Sequence, residues 1–154
     1  MLDTKLLIFK IGKGKYAFDT TYVDRIIKFE NLTYVPSTQK TLVGLYNHEG
    51  NVIKIYSLAK RIGVESGLEN SHKKIIIVKN NDVLVGIVVD EVLEVFNYNK
   101  ENSEDSSNFT KNSDSNSEGL DFRYVKDMVL INDEIIIYLS VAKIVKIELE
   151  ESKA

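Results

Sequence analysis

The chain reads as a mainly all-β protein built from two similar β-subdomains that share an apolar seam. The first observation behind this is an internal repeat. "LLIFKIGKGKYAFDTTYVDRII" (6–27) lies over "IIIVKNNDVLVGIVVDEVLEVF" (75–96) at an offset of 69, and "VIKIYSLAKRI" (52–62) lies over "IIIYLSVAKIV" (135–145) at an offset of 83. The second is that "KIIIV" and "EIIIYL" are continuously apolar instead of alternating, which suits strands covered on both faces, as when two small barrels pack together. The third is a set of turn dipeptides bounding runs of β-branched and aromatic residues.

Leu7 to Ile11 and Tyr16 to Asp19 form the first pair of strands. "IGKGKY" between them lacks the GxxxxGK[ST] phosphate-loop pattern, so it reads as a hairpin tip in which Gly12 and Gly14 supply unusual backbone angles. In "NHEG", Asn47 and Gly50 read as turn chemistry leading into the strand Val52 to Tyr56, with His48 a bystander. "SLAKRIG" is one helical turn, capped by Ser57 and stopped at Gly63. Lys74 to Lys79 and Leu84 to Val89 follow, joined through "NND" (80–82). Asn and Asp tolerate positive φ, so both this turn and "NDE" (132–134) are strong hairpin signals. Glu134 to Leu139 is the last strand, and "SVAKIVK" repeats the short-helix design. Each half therefore reads as hairpin, crossover, hairpin, short helix.

The two offsets differ by 14 residues, so the second half must carry a longer insertion. Residues 99–118 hold eleven Ser or Asn, seven charged residues and one aromatic, Phe109. Such a segment cannot bury enough apolar area to offset its ordering entropy and is expected to be a disordered loop. Residues 1–150 are expected to form a single domain, with 148–154 a flexible tail.

Composition narrows the function. The 154 residues are 44% apolar, enough for a core, and no segment approaches the ~18 unbroken apolar residues of a membrane span. The N-terminus, with Asp3 and an apolar run broken at Lys10, makes a poor secretory signal, so a cytoplasmic location is expected. The absence of cysteine excludes thiolate zinc sites, iron–sulfur clusters, disulfides and cysteine nucleophiles. The two histidines stand 24 residues apart with no metal-ligand spacing, so no metal or cofactor is expected. His48-Glu49 and Asp90-Glu91 are the only pairs suggesting acid–base chemistry. Neighbours on a strand point to opposite faces, so neither pair suits one site, and the chain is not expected to be an enzyme. A net charge of −3 argues against a nucleic-acid binder. A small barrel using Tyr16, Tyr22, Tyr34, Tyr46 and Tyr56 beside Lys13, Lys15 and Lys28 is the weaker alternative.

Four colinear blocks carry a family resemblance. "YAFDTTYVDRII", "VPSTQKTLVGLYNHEGNVIKIYSLAKRIG", "VLVGIVVDEVLEVF" and "RYVKDMVLINDEIIIYLSVAKIV" resemble the chemotaxis coupling protein (CheW) family over roughly residues 5–63, 73–97 and 123–146. The resemblance implies two pseudo-symmetric, five-stranded SH3-like β-barrels with short helices, intertwined in one domain. It also implies a non-catalytic adaptor that binds the regulatory domain of a CheA-type histidine kinase and the cytoplasmic tip of methyl-accepting receptors, without inserting into the membrane. A related scaffold of a pilus or developmental chemosensory system is the alternative.

The receptor tip is a helical hairpin, so a groove between the subdomains is implied. The positions matching its lining are Leu7, Thr20, Val23 and Val92. Val23 and Val92 are also repeat mates at offset 69. Gly44, Asn47 and Gly50 match a turn and interface loop. The family usually has Asn-Leu-Arg-Gly where Asn47-His48-Glu49-Gly50 stands, and often a glutamate where Arg25 stands. Both charges are inverted here, which leads to the expectation that Arg25 and Glu49 form an ion pair reversed in sign. Losing one partner of a partly buried pair can cost ~3–5 kcal/mol, so a joint reversal is better tolerated than a single one.

Overall fold

A computed structural model describes residues 4–67, 72–98, 103–104 and 122–152. The first half contains the strands β1 (Thr4–Ile11), β2 (Gly14–Asp19), β3 (Val23–Lys28), β4 (Leu42–His48) and β5 (Asn51–Ser57), followed by helix α1 (Leu58–Ile62). The second half contains β6 (Lys74–Asn80), β7 (Val83–Val89), β8 (Glu91–Tyr98), β9 (Ser103–Glu104), β10 (Val125–Ile131), β11 (Glu134–Leu139) and helix α2 (Val141–Ser152). Two sheets result, ordered β8-β1-β2-β11-β10-β9 and β3-β6-β7-β5-β4. Of the 99–118 segment expected to be a loop, Ser103 and Glu104 pair with Val129 and Met128. The rest of that segment lies outside the described residues.

The repeat unit is not the folding unit. β8 of the second half pairs with β1 of the first, and β3 of the first pairs with β6 of the second. The two parallel pairs, β11 with β2 and β5 with β7, also join one half to the other. Each sheet is thus assembled from both halves. The repeat persists down to the irregularities. Asp24 is bulged out of the β3–β6 ladder and its mate Leu93 out of the β1–β8 ladder. Val43 and its mate at offset 83, Lys126, are bulged from the β4–β5 and β10–β11 ladders. The N–H of Ser57 donates to the Thr41 carbonyl at 2.7 Å, and that of Ser140 to the Tyr124 carbonyl at 2.8 Å.

Continuous apolar runs place alternate residues in different cores. Along β1, Leu6 and Ile8 enter the interior of the first sheet beside Ala17, Val129 and Tyr138. Leu7 and Phe9 point the other way, into a large shared core with Tyr16, Phe18, Ile76, Val78, Val85 and Ile87. Along β6, Ile75 and Ile77 fill the interior of the second sheet with Ile53 and Ile55, while Ile76 and Val78 face the shared core. In the shared core the Phe9 and Phe18 rings meet at 4.7 Å in a tilted arrangement. The apolar seam expected from the sequence is this core, and cutting Ile76 back to alanine would remove ~2–5 kcal/mol.

Turn chemistry agrees with the sequence at most tips. Asn81-Asp82 and Asn132-Asp133 both have positive φ at both positions, the geometry that matches strand twist in a two-residue hairpin. Gly63 ends α1 at φ 78°, and the Ser57 hydroxyl accepts the Lys60 N–H at 3.2 Å. Gly12 has φ 58°, as expected, but Gly14 does not have positive φ. It serves instead as space, because a Cβ there would lie 2.8 Å from the Tyr16 hydroxyl.

Two expectations about the C-terminus are corrected. α2 runs twelve residues instead of one turn, and 148–152 belong to it instead of forming a flexible tail. Ile144 and Val145 enter the shared core, and Glu148 is completely buried. Its carboxylate accepts from Arg61 Nη2 on α1, from the Thr41 hydroxyl at 2.9 Å and from Gln39 Nε2 at 3.3 Å. Arg61 also holds Glu151, with Nη1 donating at 3.1 Å. Burial alone would lower the guanidinium pKa, but the hydrogen bonds to Glu151 and Glu148 outweigh it and the net direction is upward. Burial, reinforced by Glu148, pushes the nearby Tyr56 hydroxyl up to about 12.

Candidate functional site

β3 and β8 are equivalent edge strands, one on each sheet. Directly opposed residues of an antiparallel pair share a face, so the register shows which side chains face the seam. On β3, Val23 stands opposite Val78 and Ile26 opposite Ile76. On β8, Val92 stands opposite Phe9 and Val95 opposite Leu7. All four partners belong to the shared core. The edge strands therefore lay two apolar rows, Val23–Ile26 and Val92–Val95, along the top of that core.

The rows differ from ordinary core by their exposure. Val23 and Val92 are half-buried and pack against the shared cluster. Ile26 and Val95 are 42% and 56% exposed. Ile26 and Val95 thus leave apolar surface in contact with water along the rows that border the shared core. Leu7, one of the expected lining residues, is only 5% exposed and lies beside Val95 on the neighbouring strand, within the shared core. Thr20 opens a 3-10 turn, Thr20–Tyr22, whose residue Thr21 donates its N–H and hydroxyl to Asp19 Oδ1, each at 2.9 Å. An open cleft of about 540 Å³, lined by His72, Lys74, Glu91 and Val92, adjoins the start of β8. Ile26 and Val95 were missed in the sequence, although offset 69 relates them as it relates Val23 and Val92.

The expected Arg25–Glu49 ion pair does not form as a direct contact. The Nε of Arg25 donates to Asp24 Oδ2 at 2.8 Å. That hydrogen bond raises the guanidinium pKa, with Glu49 and Tyr46 adding only longer-range electrostatic support. A bulge takes Asp24 out of the ladder beside Arg25. Glu49 occupies the β4–β5 turn at φ 52° with its side chain 82% exposed, and His48 Nε2 stands 3.8 Å from its carboxylate. Glu49 and Gly50 are the two turn residues, and Asn47 accepts the Gly50 N–H at 3.1 Å. His48 is more than a bystander, since its ring stacks on Tyr46 at 6.4 Å. Gly44 is no turn residue. It sits buried within β4, where a Cβ would lie 2.9 Å from the Thr33 carbonyl oxygen that bridges to Leu45.

The CheW-like domain family model matches residues 5–148. The chain belongs to the CheW family. It is 32% identical over 144 residues to the chemotaxis protein CheW of Thermotoga maritima, covering 94% of this chain and 89% of that protein. It is 31% identical over 91 residues to CheW of Bacillus subtilis, covering 59% of this chain and 58% of the relative. Among solved structures, the scaffolding protein TtCheW from Thermoanaerobacter tengcongensis superposes with a TM-score of 0.76 at 23% identity, covering 92% of this chain and 86% of that one. This likeness confirms two SH3-like subdomains, one of them here extended by the two-residue β9. No helix among the described residues is long and apolar enough to cross a membrane.

Proposed function

We propose that this CheW-family protein is a non-catalytic adaptor that couples methyl-accepting receptors to a CheA-type histidine kinase in cytoplasmic, membrane-associated arrays. The observation that carries this reading is the pair of apolar rows on β3 and β8, exposed at Ile26 and Val95 above the shared core. A helix laid between such rows would bury the apolar side chains of one face, spaced i, i+3, i+4 and i+7, the helix-in-groove mode of recognition. Val23, Val92 and Thr20 line this groove, and Leu7 borders it beside Val95.

The kinase's regulatory domain is assigned to the outer apolar positions. Val52 on β5 and its repeat mate Ile135 on β11 are exposed, and Ile135 pairs across the ladder with exposed Leu130. Glu49, at the exposed tip beside Val52, adds a charge that selects partners, since like charges facing one another across an interface can cost several kcal/mol.

Binding of a soluble receptor fragment and of the kinase regulatory domain, measured by calorimetry, tests the reading. Val95→Asp and Val23→Ser are expected to weaken receptor binding at least about tenfold, because an interface centre tolerates truncation poorly. Kinase binding should stay within about threefold. If the wild-type protein binds neither partner at micromolar concentration, the adaptor reading is wrong.

A further inference from the structure

The pseudo-twofold breaks at the corners that lead into the two groove walls. On the β3 side, Asp19 is partly buried and caps the following 3-10 turn locally, accepting from Thr21 two residues away. On the β8 side, the residue preceding the strand is Asp90, which is almost completely buried. Its Oδ2 accepts the N–H of Gly12 at 2.7 Å and the N–H of Gly67 at 2.8 Å, and its Oδ1 accepts the Ser66 hydroxyl. Its own N–H donates to the Lys10 carbonyl at 3.0 Å. One carboxylate thus gathers the β1–β2 tip, the stretch after α1 and the β7–β8 corner, segments up to 78 residues apart.

The surroundings are shaped for this contact. A Cβ on Gly12 would stand 2.3 Å from the Glu65 carbonyl oxygen, and Gly12 has φ 58°, so only glycine lets the two backbones close on the carboxylate. Burial by itself would raise the pKa of Asp90. The Gly12 N–H, the Ser66 hydroxyl, the Gly67 N–H and Lys73 together bring it below the ordinary value. Charge-assisted bonds of this kind are shorter and stronger than neutral ones.

We propose that Asp90 is a positioning residue that fixes β8 as the rigid wall of the groove, leaving β3 as the wall that adapts to the bound helix. This rests on the groove assigned above. The latch enters β8 two residues before Val92, so it sets where the Val92–Val95 row lies over the shared core. Preorganising one wall lowers the ordering cost of binding without adding a contact.

The test compares three variants of the full chain with a stability-matched control, Val129→Ala, whose side chain lies in the first-sheet interior away from the groove. Asp90→Ala is expected to lose about tenfold in affinity for the receptor fragment. Ser66→Ala, which removes one of the three donors, should lose about threefold and guards against an Asp90→Ala chain that fails to fold. Asp90→Asn should fall between wild type and Asp90→Ala, because its amide oxygen can still accept both N–H groups and its NH₂ can donate to Ser66, but without the charge that strengthens those bonds. Amide hydrogen exchange across Glu91–Tyr98 provides a reading independent of any partner. Faster exchange there in Ser66→Ala and Asp90→Ala than in the control supports the latch. Equal exchange, or affinity losses that merely follow the melting temperature, would overturn it. If the wild type binds no receptor fragment, the adaptor reading fails, and the exchange data alone decide whether Asp90 positions β8.

Discussion

Removing Arg61 should destabilise the protein far more than removing an ordinary surface cation. Its guanidinium reaches from α1 to α2 and joins Glu148, which has no exposed surface, to Glu151, which is half-exposed. In Arg61→Ala the Glu148 carboxylate would keep only the Thr41 hydroxyl and the Gln39 amide as partners. A buried ion that loses its countercharge costs about 3–5 kcal/mol. At roughly 2–4 °C per kcal/mol for a domain of this size, the melting temperature should fall on the order of 10 °C. Urea unfolding followed by circular dichroism measures the free energy directly, provided the denaturant slope is unchanged. The double variant Arg61→Met with Glu148→Leu removes both charges and should return to within ~1–2 kcal/mol of wild type. A loss below ~1 kcal/mol in Arg61→Ala, the level of an exposed pair, would refute the reasoning.

Two further outcomes follow from the turn at Glu49 and from the depressed carboxyl of Asp90. Glu49 holds φ 52°, a region costly for a residue with an ordinary side chain, so Glu49→Asn should raise stability by ~0.5–1 kcal/mol in thermal melts; a fall would mean that the Glu49 side chain stabilises the tip. The folded pKa of Asp90 lies below its ordinary 3.8, so its contribution is complete above that value and disappears as pH falls through the folded pKa. Stability measured from pH 6 to pH 2 should therefore drop chiefly below about pH 4, and Asp90→Asn should flatten that drop. Glu151, also depressed but half-exposed, should add little.

The sequence made the strands with two buried faces easy to find. β1, β2, β5, β6, β7 and β11 are runs of Ile, Leu, Val, Phe and Tyr, and both of their faces meet a core. The edges were harder to place. "VDRIIK" and "EVLEVF" mix charge with apolar residues because, as edge strands, they are covered on each face only in part, and a bulge shifts the period midway. The exchange of strands between halves could not be read, since a repeat reports which segments are alike and not which ones pair. The Arg61–Glu148 link joins positions 87 residues apart with no local signature. The seam valines were legible through their repeat spacing, and the same spacing held Ile26 and Val95. At Glu49 the usual turn preferences pointed to its neighbours Asn47 and Gly50, because glutamate seldom takes a left-handed position.

The exchange of β3 and β8 has a consequence for assembly. In effect the chain is a swapped dimer whose two protomers have been joined end to end. Each half alone would present an unpaired strand edge and an uncovered share of the central core. The stretch between α1 and β6 is the tether, and it turns what would be a bimolecular encounter into an intramolecular one at an effective concentration on the order of millimolar. Cutting that tether after Gly67 would leave the contacts of the folded state in place, those to Asp90 included, and make its formation depend on dilution.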